Sequence, residues 1–281
     1  MKAGCFTAAG KAHIRQGKIC QDYAAAQRIG RYELLIVLDG CSSAASGGVA
    51  AYSIGRHLAE YFTLPYRYLH GDRSMLTGEA LCRYLLRPGN ERYFADLMIG
   101  EAHRVTSALC TSVDCGYADC SSTMQLAVIE HDKENACGRF VMIGVGDGFA
   151  AMRDSNGSEL ITAGENIGGR DNRTYFVTSP DAYEHARVYR GECGALLLST
   201  DGLSKAVDIR SSPQLDALMK IVGRPRQNKG EAILWDLLSA GLPDGSPLVD
   251  EDKLYDDLGA AYCCISPQEP DGSTQARHIQ R

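Results

Sequence analysis

The sequence lacks any apolar run of the roughly 20 residues that a membrane-spanning helix needs. Its first residues, Met1 to Cys5, do not lead into an apolar signal segment either. The phosphate-binding pattern Gly-x4-Gly-Lys-Ser/Thr is also missing, so nothing in the chain predicts nucleotide binding. These absences argue against a membrane or secretion, and we expect a cytoplasmic protein.

The eleven cysteines lack the paired Cys-x2-Cys spacing that is typical of structural zinc sites. A structural zinc ion is therefore not expected. Because no export signal is present, we interpret the cysteines as reduced thiols, mostly buried, that pack as small hydrophobic side chains.

An excess of positive charge is missing as well. The chain has 29 Lys and Arg against 35 Asp and Glu, which gives a formal net charge of −6. Nucleic-acid grooves need clustered cations to displace counterions, so no nucleic-acid partner is expected. With 44% hydrophobic residues in 281, the chain can bury a sizeable core. The acidic balance is compatible with metal binding.

Apolar periodicity predicts strands at both ends of the chain with helices between them. The run Leu34–Leu38 is typical of a buried strand, a helical segment covers about 46–113, and short strands separated by turns follow from Thr123. A last strand is predicted at Ala260–Ile265. We therefore predict an α+β fold, a four-layer α/β/β/α sandwich with two central, mostly antiparallel sheets. It forms one domain over residues 1–266, followed by a polar, flexible tail at 267–281.

Two of the predicted buried strands end in Asp-Gly, at Asp39-Gly40 and at Asp201-Gly202. A carboxylate at the end of a buried strand is held rigidly at the rim of a sheet, and the following glycine lets the backbone turn sharply or approach a ligand. Such a position suits a metal ligand. An ordinary Asp-Gly turn is the alternative for each pair taken alone.

Six short motifs together resemble the metal-dependent protein phosphatases of the 2C type, the PPM family, and particularly its bacterial members. They cover roughly residues 10–266, and their order along the chain carries the resemblance. The motifs are Cys20-Gln21-Asp22, Val37-Leu38-Asp39-Gly40, Asp119-Cys120-Ser121-Ser122-Thr123, Gly146-Asp147-Gly148, Ser199-Thr200-Asp201-Gly202-Leu203 and Asp256-Asp257-Leu258.

The resemblance implies a metal-ligand set for these positions. Asp39 matches the carboxylate that bridges two metals, with the Gly40 carbonyl as a further ligand, and Asp22 matches an acidic residue that reaches the metals through water. Asp201 and Asp256 match ligands of the other metal. Asp119 matches a residue that helps to hold a third, weaker metal. Asp147 corresponds to a turn residue that we expect to be mainly structural.

The resemblance implies a protein-serine/threonine phosphatase with two Mg²⁺ or Mn²⁺ ions. Hard cations of this kind prefer oxygen ligands, and a pair of them activates a bridging hydroxide for attack on phosphorus without a protein nucleophile. Consistently, the Cys-x5-Arg spacing of cysteine-dependent phosphatases is missing. The substrate is expected to be a phosphorylated protein, such as a Ser/Thr kinase or its targets.

The chain differs from the family at the positions that bind substrate phosphate and that donate a proton to the leaving group. Many relatives have an arginine five residues before the first-motif aspartate, whereas this chain has Gly17, so Lys18 and Arg15 are the candidate phosphate-binding cations. The position after Gly40 is Cys41 instead of the histidine of eukaryotic members, which leaves His13 as the candidate proton donor. These losses keep open the alternative of a catalytically weak or silent regulatory module.

Overall fold

The computed structural model describes residues 2–63, 77–131, 137–163, 174–223 and 230–265. The predicted tail at 267–281 lies outside these residues. Two short 3-10 helices occupy Tyr117–Cys120 and Glu251–Lys253. The strands are β1 Lys2–Ala8, β2 Asp22–Ile29, β3 Tyr32–Asp39, β4 Met124–His131, β5 Gly138–Val145, β6 Phe149–Arg153, β7 Ser158–Ala163, β8 Arg187–Cys193, β9 Ala195–Ser199 and β10 Leu258–Cys264. The helices are α1 Lys11–Arg15, α2 Gly47–Tyr61, α3 Gly78–Leu85, α4 Glu91–Val113, α5 Ala182–His185, α6 Asp201–Ala206, α7 Ser212–Val222 and α8 Gly230–Ser239.

The strands form two five-stranded sheets, in the orders β1-β10-β9-β6-β7 and β2-β3-β4-β5-β8. Neighbouring strands in both sheets run antiparallel. The first and last strands of the chain pair with each other, so residues 2–8 of β1 lie beside residues 258–264 of β10. This pairing brings motifs from both ends of the sequence to the same edge of the fold.

Strand β3 shows why the central strands are apolar throughout. Leu34, Ile36 and Leu38 face a core shared with α2, α3 and α4. Leu35 and Val37 face the opposite way, into a core between the two sheets. A strand that is buried on both faces has no solvent side to alternate with, which explains the continuous apolar run.

A third core lies on the outer face of the other sheet, where α6, α7 and α8 pack against β9 and β10. The layers are therefore helices, sheet, sheet and helices, and the predicted α/β/β/α sandwich is confirmed. Strands β1 and β8 and helices α1 and α5 were not predicted individually. Among the described residues, no helix is long and apolar enough to cross a bilayer.

Candidate metal centre

Asp22 and Asp39 lie side by side at one end of the β2–β3 pair. Asp22 begins β2, Asp39 ends β3, and the antiparallel register places the two residues directly opposite each other. The Asp22 carboxylate accepts a hydrogen bond of 2.8 Å from the Thr200 hydroxyl, which fixes its orientation. Asp22 and Asp39 are 17 positions apart in sequence, and the register of the β2–β3 hairpin brings their carboxylates into one site.

The backbone around Asp39 is held from the other side by the segment after α4. Thr123 donates its amide to the Asp39 carbonyl at 2.9 Å, and the Asp39 amide donates to the Thr123 hydroxyl at 3.2 Å. Gly40 forms an isolated bridge with Ser122. A side chain at Gly40 would come within 2.5 Å of the Gly47 backbone, so only glycine permits this approach of α2 to the strand end.

Asp147 and Asp201 join Asp39 in a compact group. One carboxylate oxygen from each of these residues lies within 4.8 Å of the others. Asp201 is the first residue of α6, and Asp147 lies in the turn between β5 and β6. That turn requires Gly146, whose φ of +112° is rarely adopted by other residues. The group of Asp39, Asp147 and Asp201 is called the carboxylate group below.

The carboxylate group fits a divalent cation. Asp147 Oδ1 and Asp201 Oδ1 are buried and have no hydrogen-bond partner among the described residues. Burial, followed by repulsion from neighbouring aspartates, raises the pKa of Asp39 well above its usual value, and burial raises the pKa of Asp147 to about 6. Unpaired carboxylate oxygens that repel each other are the donor set that hard cations such as Mg²⁺ and Mn²⁺ prefer.

Asp256 lies at the exposed side of this group and is linked to it by Lys205. The ammonium of Lys205 is 2.6 Å from Asp201 Oδ2 and 2.6 Å from Asp256 Oδ2. Burial opposes the charge of Lys205, but the two ion pairs outweigh it and raise the pKa of this lysine. A protein cation thus already binds two of the aspartates that the sequence assigned to a metal.

Replacing Lys205 with glutamine is expected to destabilise the metal-free protein and to strengthen metal binding. Without the ammonium, Asp201 and Asp256 repel each other unless a cation binds. In chelator, we expect the free energy of unfolding to fall by about 1 kcal/mol, a small loss because the ion pairs are partly exposed. The Kd for the metal should be about tenfold lower, which corresponds to about 1.4 kcal/mol. Denaturation in chelator and calorimetric titration with Mn²⁺ measure the two effects.

Lys220→Gln is the matched control, because Lys220 pairs with Asp216 at the same i,i+4 spacing outside the carboxylate group. It should leave metal affinity unchanged. An unchanged Mn²⁺ affinity in Lys205→Gln as well would show that Lys205 does not compete with the metal.

Asp257, next to Asp256, has a different role. Its buried carboxylate accepts hydrogen bonds from the Gly10 amide at 2.8 Å, the Gln21 amide at 2.5 Å and His13 Nδ1 at 2.8 Å. It therefore ties α1 and the start of β2 to the last strand. His13 is buried, and its Nδ1 is engaged by this carboxylate.

A surface pocket of about 780 Å³ is lined by Lys205 and Asp256, and Lys205 connects it to the carboxylate group through its ion pair with Asp201. Lys18, one of the two candidate phosphate-binding cations, lines this pocket, as do His13 and Asp256. Arg15, the other candidate, places its guanidinium 5.8 Å from the centre of the Tyr255 ring. Lys205, which sequence reasoning did not select, also lines the pocket.

Asp119 is placed differently from the other predicted ligands. Its carboxylate accepts a hydrogen bond of 3.0 Å from the Gly116 amide and so caps the 3-10 helix Tyr117–Cys120. The carboxylate group contains Asp147 and not Asp119. The role of Asp119 with a third metal stays a prediction.

Two residues at this site, Asp147 and Lys205, were not selected as ligands or binding residues from the sequence. Asp147 was interpreted as a turn residue, although its Asp-Gly pair follows a buried strand as the pairs at Asp39 and Asp201 do. Helix α6 begins at Asp201 itself. A helix start at Asp201 puts Lys205 at the i+4 position, where ion pairs with Asp201 form.

The raised pKa of Asp147 predicts how the stability of the metal-free protein depends on pH. Because the Asp147 carboxyl binds its proton more tightly in the folded state than in the unfolded state, the free energy of unfolding falls as pH rises from 3.8 to about 6. Asp147→Asn removes the charge and should stabilise the chelator-treated protein at pH 7 by on the order of 1 kcal/mol. Urea denaturation across this pH range measures the difference. Asp252→Asn, at an exposed aspartate, is the control, and equal stability of both variants at pH 7 would contradict the assignment.

Comparisons with known proteins agree with this geometry. The Protein phosphatase 2C profile matches residues 9–239. A bacterial serine phosphatase structure is similar at 14% identity and a TM-score of 0.63, covering 96% of this chain and 100% of that one. The phosphatase Stp1 from Staphylococcus aureus is 13% identical with a TM-score of 0.58, covering 95% of each chain.

A third similar structure is the catalytic domain of the serine threonine protein phosphatase PstP in complex with two manganese ions. It is 15% identical with a TM-score of 0.58, covering 94% of this chain and 98% of that one. A comparison with curated protein sequences gives no match. At these identities the structures establish the fold, and the profile, which spans most of the chain, establishes the family. The chain belongs to the protein phosphatase 2C family.

Proposed function

We propose that this chain removes phosphate from phosphoserine and phosphothreonine in proteins, with the carboxylate group as a centre for two Mn²⁺ or Mg²⁺ ions. Family membership makes it a metal-dependent protein phosphatase and does not favour the alternative of a silent binding module. The observation that supports the metal centre most strongly is that one carboxylate oxygen each of Asp39, Asp147 and Asp201 lies within 4.8 Å of the others. Asp147 Oδ1 and Asp201 Oδ1 are also buried without a partner among the described residues.

Bound divalent ions would supply a water of lowered pKa as the nucleophile and would neutralise the phosphoryl oxygens. The residues of the chain provide the geometry for this chemistry. Asp39 is the last residue of β3 and Asp201 is the first residue of α6, separated from β9 only by Thr200, which limits the movement of their oxygens. Asp22 is oriented by the Thr200 hydroxyl, so its second oxygen remains available to the centre.

The pocket beside the centre suits a phosphorylated side chain. Lys18 and Lys205 bring positive charge to its wall, and Ser42 and Ser43 bring hydroxyls. We propose that these cations replace the arginine that many relatives use for substrate phosphate. An ammonium is a point charge without the bidentate geometry of arginine, so phosphate binding should be weaker and less dependent on orientation.

His13 remains the candidate proton donor for the leaving alkoxide. Its Nδ1 lies 2.8 Å from Asp257 Oδ2, and His13 is among the residues that line the pocket. The Asp257 carboxylate at Nδ1 fixes the orientation of the ring, as a residue that passes a proton to the leaving group requires. The natural substrate is proposed to be a Ser/Thr kinase or one of its targets.

A panel of phosphopeptides tests the substrate class. Matched peptides that carry phosphoserine, phosphothreonine or phosphotyrosine are incubated with the full chain and Mn²⁺, Mg²⁺ or chelator, and released phosphate is measured. We expect turnover of the first two peptides with either metal and none in chelator. Equal turnover of phosphotyrosine would contradict the proposed specificity, and activity that persists in chelator would contradict the metal centre.

A further inference from the structure

Three cysteines converge at the end of α4, outside the carboxylate group. Cys110 lies in the last turn of α4, and Cys115 follows the left-handed residue Asp114 that ends the helix. Cys120 closes the next 3-10 turn. Cys120 Sγ is 3.7 Å from Cys110 Sγ and 3.6 Å from Cys115 Sγ, and the three sulfurs all lie within 4.8 Å of one another.

These distances match the sulfur arrangement around a tetrahedral metal ion. A Zn–S bond of about 2.3 Å gives a sulfur–sulfur edge of about 3.8 Å in a tetrahedron. A disulfide instead needs its sulfurs about 2.05 Å apart. Cys120 Sγ thus already lies at the edge length of such a tetrahedron from both other sulfurs, whereas a disulfide requires two sulfurs to approach by about 1.6 Å.

Burial suits a metal site with one open position. Cys110 and Cys120 are buried, while Cys115 is partly exposed. A cation can reach the sulfurs past Cys115, and a ligand from solvent can complete the coordination there. The three cysteines have the spacing Cys-x4-Cys-x4-Cys, which does not contain the Cys-x2-Cys pairs of common structural zinc sites.

We propose that Cys110, Cys115 and Cys120 form a three-thiolate site for Zn²⁺, with a solvent ligand in the fourth position. On binding, each thiol releases its proton to solvent as the sulfur–metal bond forms, and no electron transfer is involved. Soft thiolates select Zn²⁺ over Mg²⁺, so this site and the carboxylate group would hold different ions.

The proposed zinc site is connected to the backbone that positions Asp39. The Asp119 carbonyl accepts from the Ser46 amide at 2.7 Å, and the Ser121 carbonyl accepts from the Cys41 amide at 3.0 Å. These bonds flank Cys120 on both sides. A metal that fixes Cys120 to the end of α4 would therefore also stabilise the loop after Asp39.

Metal binding by the full-length protein tests the site independently of phosphatase activity. The chain is reduced, stripped with chelator and saturated with Mg²⁺ to occupy the carboxylate group, and Zn²⁺ is then titrated in competition with a chromogenic chelator. We expect one tight equivalent. Co²⁺ under the same conditions should give the thiolate-to-cobalt charge-transfer absorption that oxygen ligands do not produce.

Cys115→Ala should weaken Zn²⁺ binding by at least about 100-fold, since even the loss of an outer partner of a metal ligand costs about 10- to 100-fold. Cys5→Ala, at another partly exposed cysteine, is the control and should leave the affinity unchanged. Absence of the charge-transfer band in the unmodified protein, or equal Zn²⁺ affinity in Cys115→Ala, would overturn the proposal. The cobalt spectrum needs no variant, so the result does not depend on the stability of Cys115→Ala.

Discussion

Asp39→Asn is expected to lower kcat/KM for a phosphothreonine peptide by at least about 1000-fold, equivalent to about 4 kcal/mol of transition-state stabilisation. Asp39 belongs to the carboxylate group and also faces Asp22 across the β2–β3 pair. An amide offers one neutral oxygen in place of a charged carboxylate, so the substitution weakens metal binding and displaces the bound ion from its normal position. Steady-state phosphate release over a range of Mn²⁺ concentrations measures the loss.

The same substitution should not harm the fold. Because burial and neighbouring aspartates raise the pKa of Asp39, the carboxylate is a source of repulsion in the metal-free protein, and Asp39→Asn should melt at an equal or higher temperature in chelator. Asp252→Asn is the control for both measurements. Near-normal turnover by a folded Asp39→Asn protein would show that Asp39 is not a metal ligand.

Asp257→Ala is expected to reduce the free energy of unfolding by about 3 kcal/mol or more. It leaves the Gly10 amide, the Gln21 amide and His13 Nδ1 without their shared acceptor. Each buried polar group that loses its partner costs about 1–3 kcal/mol. Urea denaturation in the presence of chelator measures the change without a contribution from bound metal.

The neighbouring residue provides the matched control. Asp256 is more exposed and contacts Lys205, so Asp256→Ala should change stability little and should weaken metal binding. Asp257→Asn retains one acceptor oxygen and should lose less stability than Asp257→Ala. If Asp256→Ala proved the more destabilising variant in chelator, the roles assigned to these adjacent aspartates would be reversed.

The sequence predicted the architecture well because its strongest signals come from burial. Residues Leu34–Leu38 are apolar at every position because β3 is covered on both faces, and the structure places one set of side chains against helices and the other against the second sheet. The same reasoning located Asp39 and Asp201, since each follows a buried strand. Strand β8 was missed because Arg187–Cys193 contains Arg, Gly and Glu and is only partly buried.

The rest of the site depends on contacts between distant parts of the chain, which composition and spacing do not reveal. Lys205 reaches Asp256 only because β9 and β10 pair side by side and α6 begins directly at the end of β9. The cysteine cluster depends on the turn at Asp114, whose left-handed conformation returns the chain toward the end of α4. Neither arrangement follows from a linear motif.

Anomalous diffraction from crystals soaked in Mn²⁺ tests the proposed metal centre most directly. We expect two anomalous peaks about 4 Å apart, the usual spacing of two-metal phosphatase sites, both beside Asp39 and with Asp201 among the ligands. Crystals of catalytically active protein that bind Mn²⁺ elsewhere, with no peak beside Asp39, would contradict the assignment of the carboxylate group as the catalytic centre.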